Sequence, residues 1–261
     1  MIWEMLRTLL FGYPPPPEMI DPRFPEIVSR AGGLSLTVII AASCLAVGAL
    51  VGCLLALCRR ESSLSGVSFI PRAFLRGLGI AATALVETVR GLPVVLLTLL
   101  AFYLPYPLTG IRFPGVILAC AAFSLYAGAY FSEIIRSGFR AIPPGLREAG
   151  RTLGLTPLKI FMKIELPLVI RNMLPDIVNL AVTIFRDTSI LAVAGIAELT
   201  YTGRQMMMSQ PLNYGLILLI TMLLYWIPAA LVSSFLTTRS DGGAAFQKSL
   251  FLRVKKNCLH N

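Results

Sequence analysis

The stretch AIPPGLREAGRTLGLTPLKIFMKIELPLVIRNMLP, residues 141–175, decides the fold. Pro143, Pro144 and Gly145 end the helix before them, because proline lacks a backbone donor and restricts the residue that precedes it. LREAGRTL then suits about two helical turns. Gly154 falls where a helix C-cap places it, while Thr156 and Pro157 match an N-cap and a first helical position. The spacing predicts helix, sharp turn, helix. A short basic helix backed by a glycine hinge is suited to docking on another protein.

Apolar runs flank this stretch. Of 261 residues, 56% are hydrophobic and only 14% charged, with a mean hydropathy of +0.76; an average soluble domain is roughly 25% charged. This is the composition of an integral membrane protein. A bilayer core about 30 Å thick takes about 20 apolar residues per helix. Four runs fit: Gly32 to Cys58, Ala81 to Leu104, Phe113 to Ile135 and Leu212 to Leu236. A fifth, Leu166 to Ala197, carries Arg171, Asp176, Arg186 and Asp187. The expectation is an all-α membrane protein with five transmembrane helices. Ala42, Ser43, Ala46, Gly48 and Gly52 in the first run predict a packing face, since small residues let helices approach closely in lipid.

The net charge is +10, and its distribution follows the spans. Arg59, Arg60, Arg72 and Arg76 lie in the first connection; Arg136, Arg140, Arg147, Arg151, Lys159, Lys163 and Arg171 surround the third; five more cations lie in the tail. The opposite face holds only Arg7, Arg23, Arg30, Arg112 and Arg204. The positive-inside rule then puts the N-terminus outside and the C-terminus in the cytoplasm. Topology accounts for the basicity, which argues against a nucleic-acid partner.

The resulting organisation is an outer-face extension over residues 1–29, a transmembrane domain over 30–237 containing a cytoplasmic loop at 140–167, and a basic cytoplasmic tail over 238–261. The N-terminal MIWEMLRTLLFGYPPPPE has an acid inside its apolar segment and no small-residue cleavage site, so it does not read as a signal peptide. Prolines 14 to 17 favour extended polyproline, and an amphipathic helix lying on the membrane is the other reading of the segment. Cys44, Cys53, Cys58, Cys120 and Cys258 show no paired spacing and read as small core residues. His260 is the single histidine, which leaves no histidine-based catalytic or metal site.

Three polar insertions interrupt the apolar runs. In LVETVRGLPVVLL, residues 85–97, Glu87 and Arg90 stand three apart on one helical face, and Gly91 and Pro93 disturb the helix behind them. A kinked helix with a self-paired charge and a helix lining a pathway both fit. In LYAGAYFSEIIRSGFR, residues 125–140, Glu133 and Arg136 repeat the spacing near water, where side chains snorkel. Tyr126 and Tyr130 there share one face, either as packing or as one wall of a site. In TIFRDTSILAVAG, residues 183–195, each charge costs about 2.5–3.5 kcal/mol to insert. Arg186 and Asp187 point about 100° apart and do not pair with each other. At about 1.5 Å per residue from Arg171, Asp187 lies about 24 Å up, in the outer half of the membrane.

The loop resembles the EAA loop of permease subunits of ATP-binding-cassette importers, written EAA, three residues, G, nine residues, I-x-L-P. Glu148, Ala149 and Gly150 are followed after three residues by Gly154 and after nine more by Ile164, Glu165, Leu166 and Pro167. Gly150 for the second alanine is the only departure. From Gly33 to about Leu218 the chain is similar to the polar amino-acid branch of that family. LVETVRGLPVV resembles Y-x-E-x-x-R-G-x-P, with Leu85 for tyrosine. GAYFSEIIRSGFRAIPPGLREAG resembles A-Y-x-x-E-x-x-R running into the EAA loop, with Leu146 where glutamine is common. FRDTSIL resembles K-D-T-S-L, with Arg186 for lysine and Ile190 for leucine.

The resemblance implies a type I importer fold with a five-helix core. It implies a second permease, identical or paralogous, two ABC ATPase subunits, and an extracytoplasmic binding protein that delivers an amino acid. Glu148, Ala149, Gly150, Leu153 and Gly154 become the expected ATPase contact. Asp187, Thr188, Ser189, Arg90, Glu87 and Tyr130 become the expected substrate pathway in a cell inner membrane. The chain holds no G-x-x-x-x-G-K-[ST] phosphate loop, so it is expected to carry no cofactor, with ATP and Mg bound by the partner ATPase. An ion-coupled transporter relaying through Glu87, Glu133 and Asp187 would need no ATPase but leaves the EAA-like helix unexplained. An enzyme would rest on a serine and lysine that no spacing supports.

Overall fold

A computed structural model describes residues 2–12, 32–59 and 72–234. Prolines 14 to 17, Arg60 and the tail from 238 onward fall outside the described residues. Everything described is helical apart from short turns and one isolated bridge between Gly33 and Glu198. The helices are α1 (Ile2–Phe11), α2 (Gly33–Arg59), α3 (Arg72–Gly91), α4 (Val94–Tyr103), α5 (Pro105–Thr109), α6 (Gly115–Arg140), α7 (Pro144–Thr152), α8 (Pro157–Ala194), α9 (Leu199–Ser209) and α10 (Pro211–Ser234). Four of them, α2, α6, α8 and α10, are long and apolar enough to cross a membrane.

The second hydrophobic region is not the single kinked helix expected from Ala81 to Leu104. It breaks at Leu92 and Pro93, and the helices on either side are bent by 109°. Pro93 is extended, with φ −58° and ψ 131°, so it starts α4 and cannot continue α3. The bent pair supplies a fifth crossing only if counted as one span.

The most extensive packing joins α2 to α6. The contact face of α2 is Thr37, Ala41, Cys44, Gly48 and Gly52, all buried, at the three- and four-residue spacing of a helical stripe. Ala42 and Ala46, expected on that face, lie exposed beside it. A Cβ on Gly52 would stand 2.8 Å from the Gly128 carbonyl oxygen, and one on Gly128 would stand 2.8 Å from Val51 Cγ1. Glycine is what lets the two backbones meet. Around this seam Ile40, Phe123, Ile184 and Leu191 are fully buried.

Helix α8 is not uniform. Phe161–Glu165 is π-helical, Leu166–Asp187 α-helical and Thr188–Ala194 3₁₀. Pro167 has no N–H to donate, which favours a widened turn next to it. The 3₁₀ segment closes on Gly195 at φ +79°. At that end of the bundle α1 docks through Met5 and Leu9 against Leu199, Met206 and Ile217, and the Gly33 amide donates to the Ala197 carbonyl at 3.0 Å. Arg59, the last turns of α6 and all of α7 gather at the other end.

Candidate functional site

The basic end holds a cluster of ions built from three helices. Glu133 on α6 is its centre. Arg136 Nε donates to it at 2.9 Å, and a second Arg136 nitrogen reaches its other oxygen. Arg59 at the end of α2 donates at 3.3 Å, and Arg90 Nη1 stands 3.6 Å away. The expected Glu87–Arg90 pair is present only at 4.0 Å, and Glu87 is nearer to Arg59 at 3.6 Å. One carboxylate thus serves three guanidiniums, an arrangement that spreads the cost of charge at the edge of an apolar bundle. Arg59, read from sequence as a connection residue, turns inward with its side chain only 8% exposed.

Arg90 is only partly engaged. Its guanidinium lies over the Tyr130 ring at 5.4 Å, a cation–π contact, and its Nε is buried without a hydrogen-bond partner. Tyr130 in turn packs on Tyr126 with ring centroids 4.8 Å apart. These residues wall a cavity of about 330 Å³ together with Glu133, Asp176, Asn179 and Thr183. The three α8 residues are spaced three and four apart, so one face of that helix turns into the cavity. Among the described residues no cation stands within 4.0 Å of the Asp176 carboxylate. The cavity therefore presents an incompletely satisfied guanidinium, a carboxylate, an amide and a hydroxyl, which is a donor and acceptor set for a small zwitterion.

The structure brings Arg90, Glu87 and Tyr130 together but leaves Asp187, Thr188 and Ser189 outside the cavity wall. Asp187 is half-buried at the junction between the α and 3₁₀ parts of α8. It lies about 6 Å of helical rise beyond Thr183, toward the end where α1 docks. Thr188 is fully buried and donates to the Phe185 carbonyl at 2.8 Å. Arg186 is exposed.

The 140–167 loop has the geometry its sequence predicts. Pro144 starts α7, Gly154 follows it at φ +71°, and the Leu155 amide closes on the Gly150 carbonyl at 3.1 Å. The Thr156 hydroxyl accepts from the Lys159 amide at 3.4 Å. Glu148, Ala149 and Leu153 are exposed, Leu153 at 77%. Gly150 is buried, and a Cβ there would stand 2.9 Å from Ile160 Cγ1, which explains glycine where the motif has alanine. Arg147 clamps the helix to α8 through both oxygens of Glu165, one contact at 3.3 Å. Hydrogen bonding to Glu165 raises the Arg147 guanidinium above its ordinary value.

Three groups escaped the sequence reading. Arg147 and Glu165 lie eighteen residues apart, beyond any local spacing rule. Asp176, Asn179 and Thr183 repeat at helical spacing, a signal that was legible. Glu198 is fully buried and caps α9, accepting from the Tyr201 amide at 2.9 Å and from the Tyr225 hydroxyl at 2.6 Å. Its Thr37 neighbour accepts from the Leu199 amide at 3.1 Å, so one carboxylate ties α2, α9 and α10. Burial raises the Glu198 carboxyl above the usual range, partly offset by the Tyr225 hydrogen bond.

A bundle of apolar helices with a polar cavity inside and an exposed hinge helix at its basic end belongs to a membrane permease. The chain is a member of the family described as binding-protein-dependent transport system inner membrane components, which matches residues 66–243. Among its relatives are the putative glutamine transport system permease of Rickettsia conorii, 29% identical over 80% of this chain and 90% of the relative, and the L-cystine transport system permease of Bacillus subtilis, 29% identical over 89% and 93%. A crystal structure of an amino acid ABC transporter with histidines superposes with a TM-score of 0.68 at 26% identity, covering 79% of this chain and 90% of that one. The chain is thus a permease subunit of an amino-acid ATP-binding-cassette importer, a multi-pass inner-membrane protein and a transporter subunit, not an enzyme.

Proposed function

We propose that this permease carries a polar or charged amino acid through the cavity between α3, α6 and α8, and that α7 couples the movement to a partner ATPase. The observation that carries the reading is that Arg90 and Asp176 line the same cavity. A guanidinium with a buried, unpartnered Nε suits a substrate carboxylate, and a carboxylate with no cation partner among the described residues suits an ammonium. Asp187, farther out along the same helix, is the earlier station for a substrate arriving from outside. Thr188 and Ser189 hold the local geometry of that station, and Glu87 with Glu133 sets the field around Arg90.

The charge distribution supports an N-terminus outside and a C-terminus in the cytoplasm, which places α7 on the cytoplasmic side. There the exposed faces of Glu148, Ala149 and Leu153 meet a groove of the ATPase, with Gly150 and Gly154 setting the angle of the helix. The ATPase holds ATP and Mg; this chain holds neither. Closure of two ATPase subunits would move two α7 helices, one from each permease of a pair, and rock the bundles around the central site. A binding protein delivers the amino acid from outside. Residues 1–29 form the outer-face extension and 238–261 the cytoplasmic tail.

The test is uptake by the complete complex carrying Asp176→Asn, Arg90→Gln or Asp187→Asn. Each variant is expected to copurify with the ATPase yet lose at least about tenfold in uptake, the loss expected for one charge-assisted contact. Wild-type uptake in all three would overturn the pathway, and loss of copurification would make the residues structural.

A further inference from the structure

Beside the proposed substrate cavity, on the other face of the ion cluster, runs a second groove. It measures about 580 Å³ and lies between the end of α2, the end of α6 and the π-helical start of α8. Its walls are apolar, with Leu57 from α2, Ile135 and Phe139 from α6, and Phe161 stacked on Phe139 at 6.2 Å. Its mouth is cationic, set by Arg136 and Arg140. Arg136 shares its charge with Glu133 and stays one-third exposed. Arg140 is exposed, and no carboxylate within 4.0 Å is recorded for it among the described residues.

We propose that this groove binds one anionic phospholipid, its phosphate on Arg140 and Arg136 and one acyl chain along Leu57, Ile135 and Phe139. Charge decides the headgroup. Arg59, Arg136 and Arg140 line the groove, and the carboxylates within 4.0 Å of them among the described residues are Glu87 and Glu133, an excess of one cation at the mouth. A planar guanidinium binds phosphate through two parallel hydrogen bonds, and basic pockets between spanning helices are where anionic headgroups settle. Volume decides the rest. At about 30 Å³ per water-sized group, the groove takes about nineteen such groups, the size of one acyl chain and not of two. A soluble anion would gain nothing from the apolar wall, of which Leu57 is 59% exposed. The π-helical turn at Phe161–Glu165 widens the backbone on this wall, a distortion that recurs at functional sites. The lipid would wedge between α6 and the root of α8, so its occupancy bears on the same joint that carries α7. The inference depends on the proposed orientation only for which leaflet supplies the lipid.

Native mass spectrometry of the permease–ATPase complex, released from nanodiscs of phosphatidylglycerol or phosphatidylcholine, tests it. One phosphatidylglycerol per permease is expected to remain bound while phosphatidylcholine is lost. Arg140→Gln and Leu57→Trp, the second leaving every charge in place, should each lower that occupancy at least about fivefold. Equal retention of the two lipids, or unchanged occupancy in both variants, would overturn the proposal. Displacement of the adduct by glycerol 3-phosphate with no effect of Leu57→Trp would assign the mouth to a soluble anion instead. A photoreactive residue at Leu57 that crosslinks to residues 60–71, and not to lipid, would also overturn it. ATP-driven uptake in the same preparation reports separately on the permease reading.

Discussion

Replacing Arg147 with methionine should loosen α7 from α8 and waste ATP. Arg147 holds Glu165, which is 4% exposed, so the substitution leaves a carboxylate buried without its partner. Breaking a fully buried pair costs about 3–5 kcal/mol. Arg147 itself is half-exposed, with its side chain at 51%, so water replaces part of what is lost and about 1–2 kcal/mol is the appropriate scale. That corresponds to a factor of about 5–30 in the docked population of the helix. In proteoliposomes containing the full complex, the variant should insert and bind ATPase normally while the number of ATP hydrolysed per amino acid imported rises several-fold. Arg147→Lys should restore part of the coupling, since one hydrogen bond of the fork is recovered. The double variant Arg147→Met with Glu165→Met should recover more than Arg147→Met alone, because removing both partners leaves nothing unsatisfied. A wild-type ratio in Arg147→Met, or a double variant no better than the single, would refute the clamp.

Glu198 gives a prediction in pH. Burial raises its carboxyl, so the folded state holds that proton more tightly than the unfolded chain; stability from this group is present at low pH and is lost as pH rises through the raised value. Thermal unfolding in detergent should show Glu198→Gln losing less stability than wild type as pH climbs from about 4 toward neutrality. Glu198→Ala should cost about 1–3 kcal/mol at any pH by stranding the Tyr225 hydroxyl and the Tyr201 amide. Parallel pH profiles for wild type and Glu198→Gln would remove the carboxylate from the account. At the glycine seam, Gly52→Ala puts a methyl group 2.8 Å from a backbone oxygen of α6. It should cost about 1–3 kcal/mol and lower the yield of folded permease, whereas Gly77→Ala, with open space around it, should not.

How much of this was legible in the sequence depended on the range of the interaction. The hinge at Gly154, the cap at Thr156 and the disturbance at Gly91 and Pro93 follow from a residue's own backbone chemistry, and all three were readable. The 109° angle at that break was not, because a proline says where a helix stops and not where the next one points. Glu133 with Arg136 obeys an i, i+3 rule, so it was found. Glu87 with Arg90 obeys the same rule, yet Arg90 stands nearer Glu133, since a helix from elsewhere in the chain competes for it. Arg147 with Glu165 and Thr37 with Glu198 are pairings made by tertiary packing, which a single sequence does not carry. The motif FRDTSIL drew attention to Asp187, while the cavity itself is walled one to three turns earlier on the same helix, by Asp176, Asn179 and Thr183.

The central claim is that movement of an amino acid through this bundle is driven by a partner ATPase acting on α7. The direct measurement is amino-acid accumulation in sealed vesicles holding permease, ATPase and binding protein, with and without ATP, with an ionophore, and with Glu148→Arg. Accumulation that requires ATP, survives the ionophore and is abolished by Glu148→Arg in a complex that still assembles is the result expected. Accumulation that persists without the ATPase and collapses with the ion gradient would contradict it.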